Sequence, residues 1–154
     1  MSNNKFNATN VSLSVDLSEA RQAVKENRFQ DALDLFEIIL KDDPDHIDSL
    51  YLAAVSSRYL KNFDDSKKFI EQLMIIAPDM GRAYQELGHI LRDMGKVDKA
   101  VVHYRQACEL NPALLASWSA LYKYFTENKN QPAADHAREQ IEKLQSLPSA
   151  LLYI

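Results

Sequence analysis

The chain has 154 residues, of which 46% are hydrophobic and 26% charged, with a formal net charge of -4 at pH 7. This composition is typical of one globular domain, and the negative charge argues against a general nucleic-acid-binding protein. The single cysteine, Cys108, excludes an internal disulfide.

The polar start MSNNKFNATN lacks the apolar core of a signal peptide, and no stretch reaches the roughly 20 apolar residues of a membrane span. We therefore expect a cytoplasmic protein without a membrane partner, and we predict that residues 1–12 form a disordered polar tail.

Size and polarity repeat along the rest of the chain with one period. Pro44, Pro78 and Pro112 are spaced 34 residues apart. The same spacing relates one set of small residues and one set of large apolar residues, namely Ala20, Ala54 and Gly88, and Phe36, Ile70 and Tyr104. This pattern predicts two antiparallel helices in each repeat, with small residues where the helix backbones approach.

The period divides residues 13–148 into four predicted units, residues 13–46, 47–80, 81–114 and 115–148. In the first unit, Glu19 occupies a position that is apolar elsewhere. In the fourth, Tyr122 replaces the small residue and Arg138 the large one, as is typical of terminal repeats that face water. Residues 149–154, SALLYI, are predicted to be an apolar C-terminal tail or the start of a capping helix on the last helix pair.

Two glycines have different predicted purposes. A glycine inside a helix costs about 1 kcal/mol relative to alanine, so Gly88 indicates a close approach, which we place opposite Ala100. Gly95 falls where a first helix must end, and it can adopt the left-handed conformation there. The equivalent positions hold Asn27, Lys61 and Lys129. We also expect Asp45 and Asp79, which follow prolines, to cap the next helices.

The stretch RAYQELGHILRDMGKVDKAVVHYRQACELNP resembles a tetratricopeptide repeat, a helix–turn–helix unit of 34 residues. The resemblance covers residues 13–148 and implies an all-α fold, an α-solenoid of antiparallel helix pairs. It also implies that the first helices of the repeats line a concave groove for an extended peptide or a partner helix. The carboxylate clamp of chaperone-binding members is excluded, because only Arg82 matches its residues.

The sequence offers no convincing catalytic, cofactor or metal site. Cys108 and His103 share a helix but lie about 140° apart around its axis, so we interpret Cys108 as a core residue. The acidic stretch DDPDHID falls on a turn between repeats and lacks fixed metal-ligand spacing. The three glycines form no phosphate-binding loop. We therefore predict a protein that is not an enzyme and has no cofactor.

The predicted groove faces carry basic and aromatic residues. Arginine binds carboxylates through two hydrogen bonds and stacks on rings, so these faces suit an acidic or aromatic segment; a solvated helix face is the alternative. The predicted groove residues are Arg21, Lys25, Tyr51, Arg58, Tyr59, Arg82, Gln85, His89, Arg92 and Lys123.

We therefore predict a non-catalytic scaffold that binds a protein or peptide, with an acidic ligand if the basic face is the binding surface. The alternative is a regulatory or substrate-presenting module of a larger enzyme. The closing LQSLPSALLYI resembles the junctions that follow repeats in bacterial sulfotransferases of this repeat family. Self-association through the ends of the solenoid is a third hypothesis.

Overall fold

The computed structural model describes residues 17–148, so the predictions for residues 1–12 and 149–154 fall outside it. Every regular element in this range is an α-helix. Helix α1 occupies residues 17–25, and seven more helices follow: α2 (Phe29–Asp42), α3 (Ile47–Tyr59), α4 (Phe63–Ile76), α5 (Gly81–Asp93), α6 (Val97–Leu110), α7 (Leu115–Glu127) and α8 (Gln131–Gln145). The predicted all-α class is confirmed.

The helices belong to two compact units, which divide between Pro78 and Asp79. In the first unit, α3 packs against both α2 and α4. Its core joins α1, α2 and α3 through Ala20, Phe36 and Ala53, each fully buried. In the second unit, each helix from α5 to α8 packs against the next. The boundaries of the four repeats remain predictions.

The four predicted left-handed positions are confirmed. The backbone angle φ is 80° at Gly95, and it is 59°, 62° and 56° at Asn27, Lys61 and Lys129. The N–H of Lys96 donates to the carbonyl of Leu91 at 2.8 Å, which is the hydrogen bond of a Schellman motif. The other three turns contain the equivalent bond. Each first helix therefore ends in the same kind of turn, whichever residue occupies the strained position.

The predicted aspartate caps are wrong. His46, one residue after Asp45, is the N-cap of α3, and its Nδ1 accepts from the N–H of Ser49 at 3.2 Å. Met80 is the N-cap of α5, without a side-chain hydrogen bond. Each helix begins one residue later than expected, because the residue after the aspartate keeps an extended conformation.

Gly88 does mark a close approach, and the atoms nearest to it belong to Tyr104, one turn along α6 from the predicted partner Ala100. A β-carbon added at Gly88 would lie 2.7 Å from Cε1 of Tyr104. Tyr104 follows Ala100 by one helical turn, and its ring, which is 2% exposed, covers the glycine. In the first unit, α3 and α4 also approach closely, because Ser66 Oγ donates to the carbonyl of Ala54 at 2.6 Å.

Candidate functional site

In the first unit, the cation of Arg21 is already paired. Its guanidinium lies 2.5 Å from a carboxylate oxygen of Asp48, which joins α1 to α3 across an exposed surface. Lys25 is exposed and Tyr51 is half-buried. Because the ion pair is exposed, it stabilises the fold little, and an anionic ligand could compete for Arg21.

Tyr59 lies in an aromatic stack at the end of α3. Its ring is parallel to that of Phe29, with centroids 4.5 Å apart, and the guanidinium of Arg58 lies 4.6 Å from the Tyr59 centroid. Tyr59 is 56% exposed, whereas Arg58 is only 9% exposed. The Arg58 guanidinium is therefore less accessible to a ligand than the Tyr59 ring is.

In the second unit, two predicted groove residues tie helices together. Gln85 on α5 accepts hydrogen bonds from the backbone N–H and the hydroxyl of Ser117 on α7, at 3.1 and 2.8 Å. His89 Nδ1 lies 2.7 Å from the hydroxyl of Tyr104 on α6. Sequence reasoning missed these contacts, because each partner comes from a different helix.

Arg92 and Lys123 meet at one cavity, which we call the basic cavity. It has a volume of about 320 Å³ and lies between α5, α6 and α7. Its lining is mainly apolar and aromatic, with Glu127 as its acidic member; the other lining residues are Val97, Ala100, Val101, Tyr104, Ala120 and Tyr124. Of this lining, only Arg92 and Lys123 belong to the predicted groove residues. The other lining residues lie on α6 and α7, and spacing along the sequence does not show that the faces of these two helices meet here.

The two cations of the basic cavity differ in availability. Arg92 donates to Asp93 from Nε and a terminal nitrogen, at 3.1 and 3.0 Å. Lys123 is exposed and forms no ion pair with any residue in the range 17–148. Lys123 is therefore the cation of the cavity that can meet an anion without breaking an existing bond.

The tyrosine at the rim of the basic cavity is held by an acid. The hydroxyl of Tyr124 donates to Asp98 at 3.0 Å. This hydrogen bond, together with desolvation and the negative charge of Asp98, raises the pKa of Tyr124. The phenol therefore stays protonated at neutral pH and links α7 to α6.

Arg82 lies at the start of α5 and is exposed. It does not line the basic cavity. Of the five groove residues predicted in the second unit, Arg92 and Lys123 line the basic cavity, whereas Arg82, Gln85 and His89 do not.

The described residues show little reactive chemistry. Cys108 is buried, as predicted, and desolvation together with the charge of Glu109 raises its pKa to about 12. A protonated thiol is a weak nucleophile. Within residues 17–148, no three histidine, cysteine or acidic side chains are placed to hold a metal ion. None of the helices in that range is long and apolar enough to cross a membrane.

Comparison with known proteins identifies one repeat directly. Residues 81–114 match the tetratricopeptide repeat family. Human tetratricopeptide repeat protein 13 is 21% identical over 158 residues, which cover 96% of this chain and 18% of that protein. The chain thus spans less than a fifth of the length of this curated relative.

Solved structures share the fold across most of the chain. The structure of MamA residues 41 to the end, from Desulfovibrio magneticus RS-1, superposes with a TM-score of 0.74 and 18% identity, over 86% of this chain and 75% of that one. The Arabidopsis OM64 tetratricopeptide repeat domain has a TM-score of 0.65 and 16% identity, over 83% and 95%. An O-GlcNAc transferase from Thermobaculum terrenum has a TM-score of 0.71 and 19% identity, over 81% and 23%.

The helix pairs, the repeated left-handed turns and these similarities define a helical-repeat protein. More narrowly, residues 81–114 match the tetratricopeptide repeat family, and the described helices share the fold of solved tetratricopeptide repeat structures.

Proposed function

We propose that this protein is a non-catalytic scaffold that binds a peptide or a partner helix on the exposed faces of its first helices. Tetratricopeptide repeat proteins generally bind protein partners. The observation that carries the proposal is the basic cavity, where Lys123, which forms no ion pair within residues 17–148, lies beside an apolar lining.

The basic cavity suits one particular ligand chemistry. Its volume of about 320 Å³ is at the lower end of the range for ligand pockets, about 300–1,000 Å³. The apolar lining would bury a leucine or aromatic side chain, and Lys123 would pair with a neighbouring carboxylate. The ligand is therefore a segment in which an apolar residue stands next to an acidic one. Glu127 and Asp93 would repel a segment with many acidic residues.

The proposal predicts which peptides bind. In an array of labelled peptides, those with one leucine or aromatic residue beside a glutamate should bind better than matched peptides with lysine. Lys123→Glu should lower the affinity for the preferred peptides about tenfold, which is a loss of about 1.4 kcal/mol in binding free energy. Rising salt should weaken binding as well, because exposed charges are screened beyond about 8 Å near physiological ionic strength.

Lys68→Glu is the matched control. Lys68 is exposed on α4 and distant in sequence from the cavity, and the substitution changes the net charge equally. Equal loss of binding in both variants would show that net charge acts and not the cavity. An array without any preference for acidic neighbours would refute the proposed ligand chemistry.

The other predicted groove residues, including Arg21, Lys25, Tyr51, Tyr59 and Arg82, remain predictions, as do a cytoplasmic location and self-association. Light scattering at several protein concentrations tests the last of these.

A second candidate function is a repeat module within a larger enzyme. It is favoured by the similarity to an O-GlcNAc transferase, of which this chain covers 23%. An antibody against the repeats distinguishes the two functions. A native polypeptide near 17.6 kDa would contradict the enzyme module. A much larger one supports the enzyme module only if it also has transferase activity, as a sulfotransferase or another transferase, because a scaffold can be long as well.

A further inference from the structure

The second unit contains another cavity, which we call the aromatic cavity. It has a volume of about 330 Å³ and lies between α6, α7 and α8. Apolar and aromatic side chains dominate its lining, and Arg105 and Glu109 are its two oppositely charged members. The other lining residues are Cys108, Trp118, Leu121, Phe125, Ala133, His136 and Ala137.

The rings of the aromatic cavity are held in place by contacts within the unit. Trp118 Nε1 donates to the carbonyl of Pro112 at 2.9 Å. The His136 ring meets the Trp118 ring edge-on at 5.6 Å, and the Arg105 guanidinium lies 5.0 Å from the centre of the Phe125 ring. These contacts hold the rings in place around a largely apolar cavity.

The exposed side of α8 offers no such receptor. Arg138 pairs with Asp135 at 3.2 Å and with Glu142 at 3.9 Å, and Lys143 pairs with Glu139 at 3.2 Å. An apolar segment that packs against the last helix pair would therefore gain most by entering the aromatic cavity.

The chain carries a suitable segment directly after α8. Residues 149–154 lie outside the described range, and their sequence includes Leu151, Leu152, Tyr153 and Ile154 in a row. Pro148 cannot continue a helix, so the chain leaves the axis of α8 before this segment.

The segment is long enough to reach the cavity. Ala137 precedes the end of α8 at Gln145 by about 12 Å along the axis, at about 1.5 Å per residue. Ser146 and Leu147 continue the turn at the end of the helix, which adds about 3 Å to this distance. Residues 148–152 can then span about 16 Å when extended, at about 3.3 Å per residue. We propose that residues 151–154 dock into the aromatic cavity of their own chain.

The sole tryptophan and the sole cysteine of the chain both line this cavity, so both report on its occupancy. Removal of residues 149–154 should shift Trp118 emission to the red and raise its quenching by acrylamide several-fold. Labelling of Cys108 by a thiol reagent under native conditions should also become several-fold faster. Adding the peptide SALLYI should reverse these changes in a saturable way.

Two variants of the 154-residue chain distinguish docking of residues 151–154 from any effect of added negative charge near the C-terminal end of the sequence. Leu151→Asp with Leu152→Asp should behave like the deletion, whereas Ser149→Asp with Ala150→Asp adds the same charge outside the apolar run and should behave like the wild type. Circular dichroism confirms that each variant keeps its helices. These two variants still test the docking proposal if the chain without residues 149–154 fails to fold.

Unchanged emission, quenching and labelling in the Leu151→Asp/Leu152→Asp variant would overturn the proposal. So would changes of equal size in the control variant. If the wild-type signals depend on protein concentration and follow dimer formation by light scattering, the segment enters the cavity of a second copy, and docking within one chain is refuted.

Discussion

Gly88 is explained by the size of the residue that it faces. In the second repeat, the equivalent small and large positions hold Ala54 and Ile70, both fully buried. In the third they hold Gly88 and Tyr104, whose ring is larger and whose hydroxyl lies against His89 Nδ1. Because the Tyr104 ring is larger than the Ile70 side chain, the residue opposite it has no room even for a β-carbon. This steric requirement outweighs the better helix propensity of alanine.

Gly88→Ala should therefore destabilise the protein despite the better helix former. Overpacking costs about 1–3 kcal/mol, and the gain in helix propensity is about 1 kcal/mol. Because the Tyr104 ring is buried and hydrogen-bonded, the cost should lie at the upper end, about 2–3 kcal/mol, and we expect a net loss of about 1–2 kcal/mol in the free energy of unfolding, measured by urea denaturation.

A double-mutant cycle with Tyr104→Ile tests the cause. The double mutant has the Ala54 and Ile70 combination of the second repeat. Gly88→Ala should therefore be neutral or stabilising when Tyr104 is replaced by isoleucine. An equal loss with and without Tyr104 would show that the ring is not responsible.

At the scale of elements, the turn after each first helix is built in the same way from unequal residues. Lys61 adopts a φ of 62°, where Gly95 adopts 80°. For a residue with a β-carbon, the left-handed conformation costs about 1–2 kcal/mol. A β-carbon added at Gly95 would meet no atom within 4 Å. The difference in stability between glycine and other residues at this position therefore comes from backbone strain and not from a steric clash.

Lys61→Gly should stabilise the protein by about 0.5–1 kcal/mol, because relief of strain exceeds the extra entropy of glycine in the unfolded chain. Gly95→Ala should destabilise it by about 1 kcal/mol. Thermal unfolding measures both. Lys68→Gly, in the interior of α4, is the control and should destabilise; a loss of stability in Lys61→Gly would contradict the argument.

Substitution by alanine should change the free energy of unfolding in different ways at two buried serines, Ser66 on α4 and Ser57 on α3. Ser66 Oγ donates to the carbonyl of Ala54 at 2.6 Å, whereas the hydroxyl of Ser57, which is also fully buried, has no hydrogen-bond partner in the described structure. Ser66→Ala should lose about 1 kcal/mol of stability, while Ser57→Ala should be neutral or gain up to about 1 kcal/mol. The gain in helix propensity is the same in both, so the difference between their denaturation midpoints isolates the hydrogen bond. Equal midpoints would show that the Ser66 bond contributes nothing.

At the scale of the whole molecule, the last helix keeps its outer face polar. Arg138 occupies the position that holds Phe36, Ile70 and Tyr104 in the earlier repeats, and there it pairs with Asp135 and Glu142. Exposed ion pairs stabilise little, so their main effect is to keep this side of α8 polar.

Arg138→Leu with Glu142→Leu should therefore cause concentration-dependent self-association with little change in monomer helicity. Light scattering combined with gel filtration measures the association. Lys67→Leu with Lys68→Leu on α4 is the control for exposed leucines in general. If the control associates equally, or the α8 variant stays monomeric, the polar face of α8 does not act as a cap.

The sequence by itself determined the helix pairs, the four left-handed turns and the polar last helix. These features depend on residue types at fixed spacings along one chain, so periodicity reveals them. The all-α class, the left-handed residues and the burial of Cys108 could all be predicted for this reason.

Only the tertiary structure decided which groups from different helices meet. It placed the Tyr104 ring on Gly88, buried Arg58, gave Gln85 to Ser117, and joined Arg92 and Lys123 at the basic cavity. These outcomes depend on how far each long side chain reaches and in which direction. Spacing along the sequence places a residue on a helix face, but the distances between faces are set by the packing of all the side chains together.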